Sequence, residues 1–110
     1  MAVEKNADGV VVLTEDNFSS GTIADMAFVK AFAPWCSHCK RLDPIWVELA
    51  RRFRDTPRVV IAELDCTLHP AVCQKEGVTG YPTLLVYHQG SRVRLKFEEE
   101  ECVRGAGGTK

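Results

Sequence analysis

Three apolar runs in the first two thirds of the chain predict strands. They cover residues 10–13, 27–33 and 58–65, and Lys30 is the one charged residue inside the second run. The runs at 27–33 and 58–65 are typical of strands that are covered on both faces of a sheet, and the run at 10–13 is a short β-branched strand. We therefore expect a central sheet that is flanked by helices.

A second group of apolar positions follows the period of a helix between residues 36 and 53. They form one face of a helix and are Leu42, Ile45, Trp46, Leu49, Ala50 and Phe53. Pro44 lies inside this pattern and predicts a kink. Two shorter helices are expected, one after the capping residues 14–17 and one that begins at Pro70 and ends before Gly77.

The last third of the chain predicts a hairpin. Residues 83–88 form a β-rich run, and after a turn at residues 89–91 the apolar Val93, Leu95 and Phe97 alternate with charged residues, as in a strand with one wet face. The whole order is strand, helix, strand, helix, strand, helix, strand, strand. It predicts an α/β sheet that begins parallel and ends antiparallel.

Length, composition and charge restrict the class of protein. The 110 residues have room for one domain, which we place at residues 1–110 with a core at about 10–97 and a tail at 98–110. A net charge of -1 gives no reason to expect nucleic acid or an anionic membrane as partner. No apolar run approaches the ~20 residues of a membrane-spanning helix. We also see no signal peptide at the start and no retention signal at the end, so any address is expected elsewhere in a parent protein.

The cysteines carry the candidate chemistry. Cys36 and Cys39 are three residues apart at the start of the longest predicted helix. This spacing brings two sulfurs close enough for a small disulfide ring. It also directs Cys36 at unpaired backbone N–H groups and at the positive end of the helix dipole, which favours the thiolate. The pattern predicts a pair that performs thiol–disulfide exchange.

The remaining cysteines have more than one interpretation. Cys66 and Cys73 are either a second disulfide, which would suit an oxidising compartment, or two buried small hydrophobic residues. Cys102 is left over. A zinc site would use the Cys36–Cys39 pair as half of a tetrahedron, but the other half would have to come from Cys66 and Cys73, whose spacing is wrong for a zinc knuckle. We expect no metal.

Two motifs resemble those of a known family. The first is Ala33-Pro34-Trp35-Cys36-Ser37-His38-Cys39-Lys40, followed by Pro44, and the second is Gly80-Tyr81-Pro82-Thr83-Leu84. Together, at this separation, they resemble a catalytic thioredoxin-type domain of the protein disulfide isomerases. Three further features fit the members with several tandem catalytic domains: Lys30, Asp65-Cys66-Thr67 and Cys73.

The resemblance implies a thioredoxin fold and an enzyme, a thiol–disulfide oxidoreductase that forms, breaks or rearranges disulfide bonds during protein folding. It implies residence in the lumen of the endoplasmic reticulum, as one domain of a larger protein. The partners would be unfolded or partially folded client proteins, with glutathione or an upstream thiol oxidase to reset the pair. No cofactor is implied beyond the redox-active disulfide Cys36–Cys39.

The resemblance also implies roles for single residues. Cys36 would be the attacking thiol, Cys39 the resolving thiol, and His38 the intervening residue that makes the pair oxidising. Pro82 would be a cis proline that faces the disulfide and aims the backbone of Tyr81 at an extended client strand.

Further assignments concern Trp35, His38 and the second cysteine pair. Trp35 would shield the disulfide and offer an apolar contact to clients, or it is a plain core tryptophan. His38 has a comparable alternative, a solvent-facing histidine without an energetic role. Cys66 and Cys73 match a structural disulfide of some relatives.

The chain departs from the family pattern in three places. Ser37 replaces the common glycine. Lys30 stands where many relatives have a buried carboxylate that moves the proton of the resolving thiol. A family arginine would fall near Glu101, and the glycine-rich tail at residues 98–110 is short for the final helix, so we expect the C-terminal helix to be short or missing.

Lys30 has three interpretations. A charged ammonium would favour thiolates, a desolvated neutral amine could accept the Cys39 proton, or the stem is buried while the ammonium reaches water. The altered proton-transfer positions also leave open a different function. The chain would then be a non-catalytic, chaperone-like module that binds clients.

Overall fold

The computed structural model describes residues 4–93 and contains the elements in the predicted order. They are β1 (Val10–Leu13), α1 (Phe18–Gly21), β2 (Met26–Phe32), α2 (Ser37–Arg52), β3 (Val59–Asp65), α3 (Pro70–Lys75), β4 (Thr83–His88) and β5 (Ser91–Val93). The expected continuation of the last strand to Phe97, the tail at 98–110 and its short or missing helix lie outside the described residues. Within residues 4–93, no helix combines the length and the apolar character needed to cross a membrane.

The five strands form one mixed sheet in the order β1-β3-β2-β4-β5. β3 runs parallel to both β1 and β2, whereas β4 is antiparallel to β2 and to β5. The α/β class and the antiparallel end of the sheet are confirmed. β2 and β3 lie inside the sheet, which explains why the apolar runs of both strands continue on both faces.

Alternate residues of the strands pack against helices on opposite faces of the sheet. On one face, α1 and α3 cover a core that includes Val29, Ala62, Leu64 and Leu85. On the other face, α2 covers a smaller core around Val10 and Ile61. The start of α2 therefore stands at the carboxyl end of β2, beside the carboxyl ends of the two parallel strands.

The apolar stripe of α2 holds the helix on the sheet. Trp46 and Ala50 are buried against the strands, and the indole N–H of Trp46 donates a 2.9 Å hydrogen bond to the Ala62 carbonyl. The prediction was wrong for Ile45, which is 62% exposed although it falls on the same sequence period. The buried face of α2 is narrower than the apolar periodicity indicates, because α2 packs against the sheet on one side only and Ile45 lies beyond the edge of that contact. Pro44 lies inside α2, and the kink stays a prediction.

Candidate redox site

Cys36 occupies the N-cap position of α2. A turn after β2, closed by a 3.0 Å hydrogen bond from the Cys36 N–H to the Ala33 carbonyl, places the residue just before the first helical turn. Its backbone is extended (φ −82°, ψ 120°), and its Sγ accepts a 3.2 Å hydrogen bond from the Cys39 N–H. The sulfur thus satisfies one of the N–H groups that a helix start leaves unpaired.

The two thiols have opposite acidities. The pKa of Cys36 is lowered, first by a hydrogen bond from the Cys39 thiol and then by the backbone N–H groups of Cys39 and His38, against the effect of burial. The pKa of Cys39 is raised, mainly by burial and also by that same hydrogen bond to Cys36. Both cysteines are unbonded here. The arrangement supplies one sulfur that ionises readily and one that holds its proton.

Both cysteines lie in a small apolar cluster at the end of the sheet. It contains Ala33, Cys36 and Cys39, with Phe32 packed against it. Cys36 keeps 7% of its surface exposed and Cys39 keeps 2%. Cys36 is therefore the more accessible of the two by a small margin, and a partner must approach it closely.

The Tyr81–Pro82 segment lies against the residue that precedes the cysteines. The rings of Trp35 and Tyr81 meet edge to face, with centroids 5.6 Å apart, and the Tyr81–Pro82 peptide bond is cis. Trp35 is 70% exposed, so the structure does not place it in the core. The two aromatic rings thus form an apolar surface beside the cysteine pair. His38, on the first turn of α2, has its side chain in solvent.

Lys30 lies inside the protein with its ammonium group paired. Its side chain is 2% exposed, and its Nζ donates to the Asp43 carboxylate and lies 3.9 Å from Glu63 Oε1. The interpretation with an ammonium in water is therefore wrong. The ring of Phe32, which packs on the cysteine cluster, lies 5.3 Å from the same Nζ. The positive charge lowers the pKa of Cys39, although less than burial raises it.

Sequence reasoning missed Asp43 and Glu63 as partners of Lys30. Asp43 lies outside the apolar positions of the predicted helix, and Glu63 lies inside the apolar run at residues 58–65. A signal was present, since a charged residue with apolar neighbours on both sides inside a buried strand is unusual, and Lys30 and Glu63 are both of this kind. Adjacent parallel strands can pair such residues, and in the structure Lys30 and Glu63 are register partners.

Cys66 and Cys73 are joined in a disulfide with a Cα–Cα distance of 5.7 Å. The bond links the end of β3 to α3, and both residues lie in the core on the α1 and α3 face. Among residues 4–93, no group of three or more histidine, cysteine or acidic side chains could hold a metal ion.

Comparisons with known proteins agree on one family. Residues 9–103 match the model of the thioredoxin family. A probable protein disulfide-isomerase A6 from Medicago sativa is 46% identical over 97 residues, which cover 87% of this chain and 27% of that protein. A thioredoxin domain-containing protein 5 homolog from Drosophila melanogaster is 44% identical over 89 residues, 80% of this chain and 21% of its own length. The chain thus spans about a quarter of the length of these curated relatives.

A solved structure shows the same similarity at the level of a single domain. The solution structure of the first thioredoxin domain of mouse protein disulfide-isomerase A4 superposes with a TM-score of 0.72 at 31% identity. The match covers 94% of this chain and 76% of that domain.

Proposed function

The chain belongs to the thioredoxin family, as a thioredoxin domain of the protein disulfide isomerase type, and we propose that Cys36 and Cys39 are its redox-active pair. In this proposal the chain is a thiol–disulfide oxidoreductase that forms, breaks and rearranges disulfides in client proteins. Residues 1–110 would be one domain of a larger protein.

The main support for the proposal is that the pKa values of two thiols at the start of α2 are shifted in opposite directions. Exchange requires a thiolate nucleophile, and the lowered pKa of Cys36 favours that thiolate over the thiol. It also requires a second thiol that stays protonated until it is needed, which fits the raised pKa of Cys39.

The reaction balances with no group beyond the two thiols and the client. In the reducing direction, the Cys36 thiolate attacks a client disulfide, a Cys36–client bond forms, and one client sulfur leaves as a thiolate. Cys39 then gives its proton to the client thiolate that has been released and attacks Cys36. The Cys36–Cys39 bond forms, the second client sulfur leaves, and two electrons have passed to the client. Client oxidation is the reverse sequence.

The neighbouring residues support client binding and charge control. The exposed Trp35–Tyr81 surface next to Cys36, with Pro82 beside it, would hold an extended apolar client segment. The backbone N–H of His38 favours the Cys36 thiolate. The imidazole ring of His38, which faces solvent, would add to this effect when the ring is protonated. The buried pairing of Lys30 favours its role as a fixed positive charge over that of a neutral base.

The cellular setting is part of the same proposal. Unfolded or partially folded secretory proteins would be the clients, in the lumen of the endoplasmic reticulum. Glutathione or an upstream thiol oxidase would return the pair to its starting state. The Cys66–Cys73 disulfide supports an oxidising compartment.

Insulin reduction and the refolding of a scrambled disulfide-bonded client test the proposal. The chain should catalyse both, and Cys36→Ser should lose catalysis in both because the attacking sulfur is gone. The double variant Cys66→Ala/Cys73→Ala is the control for loss of cysteines elsewhere in the chain. If Cys36→Ser assists refolding as well as the unaltered chain does, the proposal fails and passive client binding explains the assistance.

A further inference from the structure

A cavity lies at the end of the sheet away from the cysteines. It has a volume of about 550 Å³ and is bordered by α1, by the end of α3 and by the β4–β5 hairpin. Tyr87, which lines it, is in register with Ala27 at the start of β2, whereas Thr83 is in register with Ala31 near the cysteine end. The separation along β4 is roughly 13 Å. A molecule in this cavity would therefore leave Cys36 free.

The charged side chains around the cavity give it one net positive charge. Lys75 and Arg92 are positive, Glu76 is negative, and the other lining residues are uncharged. Among residues 4–93, neither Lys75 nor Arg92 is paired with a carboxylate. An anion that enters the cavity would meet both cations without displacing an ion pair between described residues.

Arg92 is anchored through one nitrogen and lacks an acceptor at another. Its Nη1 donates a 3.0 Å hydrogen bond to the Glu76 carbonyl at the end of α3. Its Nε is buried and has no hydrogen-bond partner in the described part of the chain. A buried N–H group without an acceptor costs free energy. The edge formed by Nε and Nη2 matches the two oxygens of a carboxylate, so a carboxylate would supply the missing acceptor.

The carboxylate of Glu76 is engaged by a hydroxyl rather than by Arg92. The Tyr87 hydroxyl donates a 2.5 Å hydrogen bond to Glu76 Oε1. Burial, followed by this hydrogen bond, raises the pKa of Tyr87 far above its ordinary value, so the hydroxyl keeps its proton. The positive charge of Arg92 opposes this rise in the pKa of Tyr87 and therefore lies close to the same hydroxyl.

Apolar side chains stand beside the two cations. Phe18 lines the cavity and packs edge to face on Tyr87, with ring centroids 5.7 Å apart. Ile23 lines it from the segment after α1 and is 64% exposed. Cations next to apolar surface suit a ligand that carries an apolar group beside its charge. A singly charged acid suits the cavity better than a phosphate, because the second charge of a phosphate would be repelled by Glu76.

We propose that this cavity is a binding site for a carboxylate that has an apolar group next to it, as in a small N-acylated amino acid or at the C-terminus of a peptide. Arg92 would hold the two carboxylate oxygens, and Lys75 would add positive charge. Phe18 and Ile23 would contact the apolar group. The site does not depend on the proposed redox function, so Cys36→Ser should bind the ligand as tightly as the unaltered chain does.

NMR titration of arginine Nε–H resonances in the unaltered chain tests the site. N-acetyl-leucine is the probe, and N-acetyl-leucine amide is the same molecule without the charge. The acid should move the Arg92 resonance downfield in a saturable way, because its Nε–H gains an acceptor. The Nε–H groups of Arg51 and Arg58, which already donate to Asp8 and Asp25, should shift little. The amide should move none of the three.

A tetrapeptide that ends in leucine separates the two sources of such a carboxylate. With a free C-terminus it should move the same Arg92 resonance, and with an amidated C-terminus it should not. Tighter binding of the free-ended peptide than of N-acetyl-leucine would identify peptide C-termini as the ligands. Equal affinity would identify the small acid as sufficient.

Substitutions then assign the affinity to single side chains, with binding followed through the backbone amides of the β4–β5 turn. Arg92→Met should weaken binding of N-acetyl-leucine about tenfold or more, and Lys75→Met about threefold. Arg52→Met is the matched control, since Arg52 is exposed on α2, at the opposite face of the sheet, and pairs with Glu48. It should leave the affinity unchanged.

Two results would overturn the inference. One is an Arg92 Nε–H resonance that stays in place with the acid or moves equally with the acid and the amide. The other is a folded Arg92→Met variant that binds the acid as tightly as the unaltered chain does. The first result is obtained on the unaltered chain and does not depend on how any variant folds.

Discussion

The two cysteine pairs of this chain differ in place and in chemical state. Cys36 and Cys39 are unbonded at the start of α2, in a small cluster at the end of the sheet. Cys66 and Cys73 are bonded and lie in the main core, between the end of β3 and α3. The first pair contacts helix N–H groups and lies beside an exposed aromatic surface, whereas the second is joined in a disulfide within the packed core. Position in the fold, more than residue type, separates a reactive pair from a structural one.

The largest expected effect is on turnover, and it should be confined to the first pair. Cys39→Ser removes the resolving thiol, so the Cys36–client adduct should accumulate and steady-state exchange should fall at least about 10³-fold. Mass spectrometry of the trapped adduct and an insulin-reduction assay check this. Cys66→Ala/Cys73→Ala, assayed in parallel, should retain exchange within about twofold. If Cys66→Ala/Cys73→Ala loses turnover at a temperature where it is folded, the effect on exchange is not confined to Cys36 and Cys39.

The next effect is on stability, and it should be confined to the second pair. Removing the Cys66–Cys73 bond, which closes a loop with a sequence separation of 7, should lower the free energy of unfolding by about 2–3 kcal/mol. Denaturant unfolding without reductant measures it.

Cys36→Ala/Cys39→Ala is the matched control for the stability measurement. It should cost about 1 kcal/mol or less, since these thiols are unbonded in the structure. An equal loss of stability in both double variants would contradict the assignment of Cys66 and Cys73 as the structural pair and of Cys36 and Cys39 as the reactive pair.

The smallest effect concerns the charge beneath Cys39. Lys30→Met removes a positive charge that lowers the pKa of Cys39, so that pKa should rise further above its ordinary value. The resolving step should then need a higher pH and slow by up to about tenfold at neutral pH, while attack by Cys36 changes little. The pH profiles of the two steps measure this. If the resolving step of Lys30→Met has the same pH dependence as that of the unaltered chain, the charge of Lys30 does not affect the pKa of Cys39.

The fold could be predicted from sequence to the extent that apolar periodicity is local. The order of elements, the buried character of β2 and β3, and the position of Cys36 at a helix start follow from patterns a few residues long. Ile45 shows the limit: its sequence period matches the buried stripe, but the width of the contact between α2 and the sheet leaves it exposed. That width is a property of tertiary packing.

The site could be predicted only as far as its motifs are contiguous. Lys30 was recognisable as an anomaly, but its partners are separated from it by 13 residues for Asp43 and by a strand crossover for Glu63. Which charges meet inside a sheet depends on strand order and register. Strand order and register cannot be deduced from a few neighbouring residues. The grouping of Lys30 with Asp43 and Glu63 was therefore visible only in the structure.

The central claim is that Cys36 is the acidic, reactive sulfur and Cys39 its protonated companion. Alkylation of the reduced chain by iodoacetamide, with mass-spectrometric mapping at a series of pH values, measures this directly. We expect Cys36 to be modified with a midpoint below the ordinary cysteine pKa of about 8.5, and Cys39 to react more slowly at every pH below that value. Equal rates at the two sulfurs, or faster modification of Cys39, would contradict it.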